Sequence, residues 1–420
     1  MKSFIFLLIL VLTYSASFAQ PKGIHISWNG EKQVNTSGSM AITWMNDIED
    51  DGEVKYGTDS LNLNKKNKAK EKYVTGLHTY VSKVTLKKLK PSTFYYYKAG
   101  SQKNGYSSVY KFRTAPLNGN ANKMVVGLWS DTQNNKGNYD FEQTDTIVQQ
   151  MSKHSFDFTI HNGDIVENGS VEKSWKDFFK TGQPLNTRYP LMSVTGNHDV
   201  VNDTSSADFQ KPFSLFYDLF NLPKDQLNYS YNYGNTHFIA INSGYAQGAE
   251  KIGKVMFEPN SKEYNWLESD LSKARKNKNI KWIILYCHYP IYAYGVSKIA
   301  TWQQHITPLL DKYKVDLCIS GHRHVYERHK AVKGTQIFEL EDLHVYNKPK
   351  GTVYITNGSA GGSLQGVGGS NLNTIAFTPK INSYNYAIMA IEGNIINYDV
   401  YDKSGNLVDY FKIKKEVKSK

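Results

Sequence analysis

Five short polar motifs follow apolar runs in a fixed order along the 420-residue chain. Asp131-Thr132-Gln133 follows MVVGLWS, Gly163-Asp164 follows FDFTIHN, and Gly196-Asn197-His198-Asp199 follows YPLMSVT. His288 follows WIILYC, and Gly321-His322-Arg323-His324 follows VDLCIS. Each run has the length and composition of a buried strand. Strands that deliver Asp, Asp, Asn, His and His-x-His to one edge of a sheet build a site for two metal ions. Two ions about 3.5–4 Å apart are a common device for hydrolysing phosphate esters. Each motif alone is a weak signal, because Gly-Asp is common at turns and Asn-His is usually structural. The set in this order carries the expectation.

The residue types fit that chemistry. A carboxylate can bridge two cations, and Asp164 is the candidate bridge because Gly163 lets the backbone turn sharply at the strand end. Asp131 supplies charge to the first metal, with His324 as its nitrogen donor. Asn197 offers a neutral amide oxygen to the second metal, and His288 and His322 add neutral nitrogens. The amide keeps the cluster from becoming too negative to bind phosphate. Mixed N/O ligation suits two divalent or mixed-valence ions of zinc, manganese or iron better than calcium. Hydroxide held between them is a nucleophile at neutral pH. His198 follows Asn197 directly and so points elsewhere. It is the candidate general acid for the leaving-group oxygen, and Asp199 is expected to orient it or raise its pKa. The competing reading makes His198 a stabiliser of its own loop.

Around these motifs the chain divides into three parts. Lys2, the apolar FIFLLILVL and Ser17-Phe18-Ala19 before Gln20 read as a secretory signal over 1–19, so the protein is expected outside the cytoplasm, secreted or periplasmic. That run is too short to span a bilayer, which takes about 20 residues. Residues 20–116 read as all-β. MAITWM, EVKYG, TYVSKVTL, TFYYYKAGS and VYKFRT are short alternating segments, the pattern of a small antiparallel sandwich. Ala115-Pro116-Leu117-Asn118-Gly119-Asn120 reads as a linker. From 121 to 420 strands alternate with helical patterns, the mark of an α/β layered domain. Phe141, Thr144, Ile147, Val148 and Met151 fall at helical spacing, as do Leu267, Leu271 and Ala274. Gly234-Asn235 between alternating runs predicts a hairpin. The Gly-rich stretch 358–372 is expected to be loop, and the alternating tail from Tyr384 to Ile413 to add edge strands.

Composition narrows the partners. The formal charge is +12. The lysines are scattered, as in KKNKAK and KARKNKNK, with no basic stripe interleaved with aromatics. They read as a solvated surface without a specific nucleic-acid signal. The positive field favours anionic substrates or anionic surfaces. Nothing after residue 19 reads as a transmembrane anchor. Cys287 and Cys318 lie in apolar runs and read as small core residues, a cross-strand disulfide being the alternative.

The motifs resemble the calcineurin-like metallophosphoesterase superfamily, and more closely its purple acid phosphatase branch. The resemblance covers nearly the whole mature chain. It includes Gly321 to Arg328 (GHRHVYER), the Tyr233 to Phe238 hairpin, Trp266-Leu267 and the β tail. The segment before the catalytic domain resembles a fibronectin type III-like domain, through Trp44, Tyr56, Leu89 to Tyr96 and Phe112-Arg113-Thr114. The resemblance implies a β-sandwich flanked by helices, a dinuclear metal centre and phosphomonoester hydrolysis. It implies Asp131, Asp164, Asn197, His288, His322 and His324 as ligands and His198 as catalytic. Two positions depart from the purple branch. Its Tyr ligand three residues after the bridging Asp is Glu167 here, and its Asp-x-Gly is Asp131-Thr132-Gln133. Gln133, through its amide oxygen, or Glu167 is therefore expected to complete the first metal site.

The leading expectation is an exported phosphatase that acts on small phosphate monoesters. A phosphodiesterase, nucleotidase or diphosphatase on the same metals is the runner-up. A cell-surface binding protein would be expected to have lost ligands, and every main position here is filled. Tyr292, Tyr294, Arg323 and Arg328 lie near ligands and are open to substrate contact or to packing. His161 reads as core.

Overall fold

The computed structural model describes residues 20–30, 34–119, 123–133, 140–200, 214–223, 227–243, 257–293, 301–366 and 373–416. The expected signal at 1–19 lies outside them. Among the described residues, no helix is long and apolar enough to cross a membrane.

The first domain is two packed antiparallel sheets. One orders the strands Lys22–Ser27, Met40–Asn46, Thr79–Leu86 and Lys70–Val74. The other orders Lys65–Lys68, Glu53–Gly57, Phe94–Ser101 and Gly105–Tyr106, with Tyr110–Arg113 also paired to Phe94–Ser101. Period-two alternation sends Ile24, Ile26, Ile42, Trp44, Val54, Tyr56, Tyr95, Tyr97 and Phe112 into the space between them. The lysine run around residue 65 does more than solvate a surface. It forms Lys65–Lys68 and Lys70–Val74, one edge strand for each sheet. Charged edge strands are a common guard against edge-to-edge pairing.

The second domain stacks two seven-stranded sheets. The first has the order Leu191–Ser193, Phe158–His161, Lys123–Trp129, Asn385–Glu392, Ile395–Asp402, Leu407–Lys414, Val345–Asn347. The second has the order Tyr229–Tyr233, Thr236–Ala240, Trp282–Tyr286, Leu317–Ser320, Val353–Asn357, Tyr326–His329, Ile375–Phe377. Each has a parallel block, formed by the first three strands on one side of the first sheet and by four strands from Thr236 to Asn357 in the other. Parallel strands are covered on both faces, so they read as unbroken apolar runs. Trp282, Ile284 and Tyr286 face the other sheet. Ile283 and Leu285 face Leu267, Leu271 and Ala274 of the helix Lys262–Lys276. Cys287 and Cys318 are buried free thiols in that outer layer.

One expectation needs correction. The tail supplies no edge strand: its three strands lie inside the first sheet, and Asn385–Glu392 pairs antiparallel with Lys123–Trp129 at its centre. Tyr386, Ala387, Met389 and Ile391 are buried there. The 3.6-period helix Glu142–Met151 and the Tyr229–Ala240 hairpin form as expected. Of the Gly-rich stretch, 358–366 is irregular and 367–372 lies outside the described residues.

The two domains share one continuous core. His25 stacks on Phe179 at 4.3 Å, and its Nε2 meets the Leu219 carbonyl at 3.0 Å. The Tyr97 hydroxyl donates to the Thr187 carbonyl at 2.9 Å.

Candidate metal centre

Every proposed ligand sits just past the carboxyl end of a parallel strand. Asp131 follows Trp129, Asp164 follows His161, Asn197 follows Ser193, His288 follows Tyr286, and His322 follows Ser320. Open α/β sheets bind ligands at that edge. Three of these residues turn the chain through the left-handed region: Asp131 at φ 56°, Asp164 at φ 49° and His322 at φ 66°. Non-glycine residues held there cost on the order of 1–3 kcal/mol each, and such strain gathers at functional sites. Gly163, at φ 89°, makes the turn before Asp164 as its type suggests.

The donors converge into two groupings, Asp131 with Asp164 and His324, and Asp164 with His288 and His322. Asp164 belongs to both. The Asn197 Oδ1 lies 3.1 Å from His288 Nε2 and 3.1 Å from His322 Nδ1. His288 Nε2 lies 3.2 Å from Asp164 Oδ2. A tetrahedral ion with bonds of about 2.0 Å sets its donors roughly 3.3 Å apart, so these spacings suit one. In the other grouping His324 Nε2 is 3.5 Å from Asp131 Oδ1. Gln133 Nε2 lies 3.2 Å from Asp164 Oδ2 and 3.2 Å from His324 Nε2. The Gln133 Oε1 is buried with no hydrogen-bond partner. Turning that amide over exchanges the two atoms and aims the oxygen at the first grouping.

Outer contacts fix the donors. His288 Nδ1 donates to the Asn162 carbonyl at 2.9 Å, and His324 Nδ1 donates to the Ser363 carbonyl at 2.7 Å. Each bond leaves Nε2 as the lone-pair nitrogen facing the centre. The His198 amide donates to Asp164 Oδ1 at 2.9 Å, leaving Oδ2 for the centre. Ser130 Oγ donates to Asp131 Oδ2 at 2.5 Å, and the His322 amide donates to both Asp131 oxygens. Ser130 and the carbonyls of Asn162 and Ser363 were not singled out from the sequence. Their neighbours in the motifs were the only signal, since a backbone carbonyl has no residue signature.

Electrostatics mark donors for which a proton and a metal cation compete: against burial, the Asp164 carboxylate pushes His288 up to about 9, and Asp131 raises His324. Burial works against charge on Asp164, yet the imidazoles of His288, His198 and His322 hold its carboxyl well below the usual carboxylate range. Burial pushes Asp131 up. Burial and the adjacent His288 push His322 down to about 3, so it is a neutral donor. The set of buried imidazoles, carboxylates and amide oxygens fits zinc, manganese or iron.

His198 sits at the rim, with its side chain 35% exposed. Its Nδ1 donates to the Glu167 carbonyl at 2.9 Å, with the Glu167 carboxylate 3.6 Å away. Its Nε2 lies 4.0 Å from Asp164 Oδ2. Burial lowers its pKa, but the Asp164 carboxylate and the Glu167 carbonyl and carboxylate outweigh that and raise it. Of the two roles expected of Asp199, orienting this ring or raising its pKa, direct contact does not supply the first. Its buried carboxylate accepts the amides of Ile165, Val166 and Gly196 at 2.7, 3.0 and 2.7 Å. It reaches His198 only through its field, the weakest of the raising influences. Arg328 is also removed from substrate contact, because it is fully buried against Asp409 at 2.7 Å. Tyr292 packs on Tyr354, and Tyr294 lies outside the described residues.

Residues 124–326, which carry all the proposed ligands, match the calcineurin-like phosphoesterase family. Residues 21–114 match the purple acid phosphatase N-terminal domain. The chain belongs to the calcineurin-like metallophosphoesterases, hydrolases of phosphate esters. Within that superfamily it is purple-acid-phosphatase-like, with the same pair of domains. Acid phosphatase type 7 of Homo sapiens is 28% identical over 374 residues, covering 82% of this chain and 79% of the relative. Probable purple acid phosphatase 20 of Arabidopsis thaliana is 27% identical over 362 residues, covering 83% and 75%. The purple acid phosphatase PPD1 from yellow lupin (Lupinus luteus) seeds shares the fold at a TM-score of 0.80 and 19% identity, over 95% of this chain and 75% of that one. The structure of PhoD shares it at 0.64 and 13% identity, over 96% and 95%.

Proposed function

We propose that the protein is an exported phosphatase that hydrolyses small phosphate monoesters at a dinuclear metal centre. The observation that carries the reading is the sharing of Asp164 between two donor groupings where the carboxyl ends of strands from both stacked sheets meet. Asp131, Asp164, His324 and Gln133 would hold one ion, and Asp164, Asn197, His288 and His322 the other. Two bound cations supply Lewis acidity and a water-derived nucleophile at neutral pH. The chain's own residues do the rest. The Asn162 and Ser363 carbonyls keep His288 and His324 with Nε2 inward. The Glu167 carbonyl holds His198 Nδ1–H, which directs Nε2 to the site. His198 is the general acid that passes its Nε2 proton to the leaving-group oxygen. Export rests on the Lys2–Ala19 pattern.

The test is a panel of phosphomonoesters and phosphodiesters with the purified protein, before and after chelation. Monoesters should be hydrolysed well ahead of diesters, with activity lost on chelation and restored by zinc, manganese or iron. A preference for diesters would move the assignment to phosphodiesterase. Activity that survives complete metal removal would refute the reading.

A further inference from the structure

The five-stranded sheet of the first domain presents a second chemistry, away from the ligand set. Its inward residues are core. Its outward residues include Lys55, Lys66, Phe94, Lys98, Lys111 and Arg113, with Glu53, Lys68, Tyr96 and Tyr106 on the same face. Register sets Arg113 beside Phe94, Lys111 beside Tyr96, Lys98 beside Lys55, and Lys55 beside Lys66. In sequence these residues are far apart, and no basic stripe interleaved with aromatics is visible. Strand pairing assembles one.

The rings hold the cations in place. The Arg113 guanidinium stands 5.6 Å and the Lys111 ammonium 5.7 Å from the Phe94 ring centre. The ammonium groups of Lys55 and Lys98 stand 4.6 and 4.7 Å from the Tyr106 ring centre. Such contacts steady a long side chain without neutralising it. The carboxylate on this face, Glu53, accepts from the Tyr106 hydroxyl at 2.7 Å and lies 3.6 Å from both Lys55 and Lys66. Among the described residues, Lys98, Lys111 and Arg113 form no ion pair.

The geometry of the array selects the partner. The residues that carry the cations are spread in two dimensions, on strands about 4.8 Å apart and at alternate positions about 6.8 Å apart along a strand. A single linear polyanion would meet one row at a time. A layer of anionic headgroups meets them all. Phe94, at the end of its strand and 51% exposed, is an apolar side chain of the kind that peripheral proteins bury at the headgroup boundary. We propose that this face docks the protein peripherally on an anionic lipid bilayer.

The experiment is sedimentation of the full chain with vesicles of phosphatidylcholine alone or mixed with phosphatidylglycerol. The protein should bind only the anionic vesicles, and less as salt rises. The variant K98Q/K111Q/R113Q should bind on the order of 100-fold more weakly. The control K273Q/K276Q/K278Q removes as much charge from another face and should change binding less than about threefold. K98R/K111R should bind like the parent, and hydrolysis of a small phosphomonoester should be unchanged in all three. Equal weakening by the two glutamine triples would overturn the proposal, as would equal binding to neutral vesicles or no vesicle binding. Face-dependent binding to soluble heparin without vesicle binding would also overturn it, and would assign the face to polymers.

Discussion

His198 has one nitrogen committed and one available. Nδ1–H is held by the Glu167 carbonyl, and Nε2 looks toward Asp164 Oδ2. No ligand role is assigned to it, so His198→Ala should keep both metals. The variant should lose about 10²–10⁴-fold in rate on substrates with poor leaving groups. The loss should shrink on activated aryl phosphates, whose oxygens leave with little help. Equal losses on both substrate types, measured as kcat/KM, would leave His198 with a structural role only. At this scale the sequence was informative, because side-chain chemistry is written in residue type. Asp131, Asp164, Asn197, His288, His322 and His324 are brought together as their order suggests. For Asp199, adjacency to His198 was a guide to its field on the ring but not to where its carboxylate points. Only the fold reveals that it binds amides of two neighbouring loops.

The loops after the strands act as a set at the scale of elements. The 163–169 and 195–199 loops approach so closely that a Cβ on Gly196 would meet Asp164 Oδ1 at 2.0 Å. Gly196→Ala should push the Asp164 carboxylate out of the shared position. Metal content and activity should fall steeply, while far-UV circular dichroism stays that of the parent. Full metal occupancy in that variant would show that the loops can separate without harm. Period and composition made the parallel runs and the helix Glu142–Met151 legible. The central place of Asn385–Glu392 was not, because strand order depends on contacts hundreds of residues apart. The lysine run also hid its edge strands, since exposed edges follow no apolar alternation.

The whole molecule behaves as one packed unit, and His25 marks the seam between its domains. Burial pushes its pKa down to about 4, against the pull of the Gly23 and Leu219 carbonyls and with help from nearby Lys83. The folded form thus keeps His25 neutral, while the unfolded chain takes up a proton as pH falls through about 6.5. The stability from this site is full above that value and is lost as pH falls toward 4. The loss between pH 7 and 5 is about 2 kcal/mol. Urea unfolding should show His25→Gln with a correspondingly flatter pH dependence than the parent. Identical slopes would mean that the seam opens before His25 titrates.

The shared carboxylate is the claim on which the rest depends, and counting metals tests it most directly. The purified parent should carry two ions per chain. His324→Ala should lose the first and keep the second, and Asn197→Ala should do the reverse. Asp164→Ala should lose both. An Asp164→Ala protein that still holds one full equivalent would contradict the account, because it would show that the two groupings do not depend on one bridge.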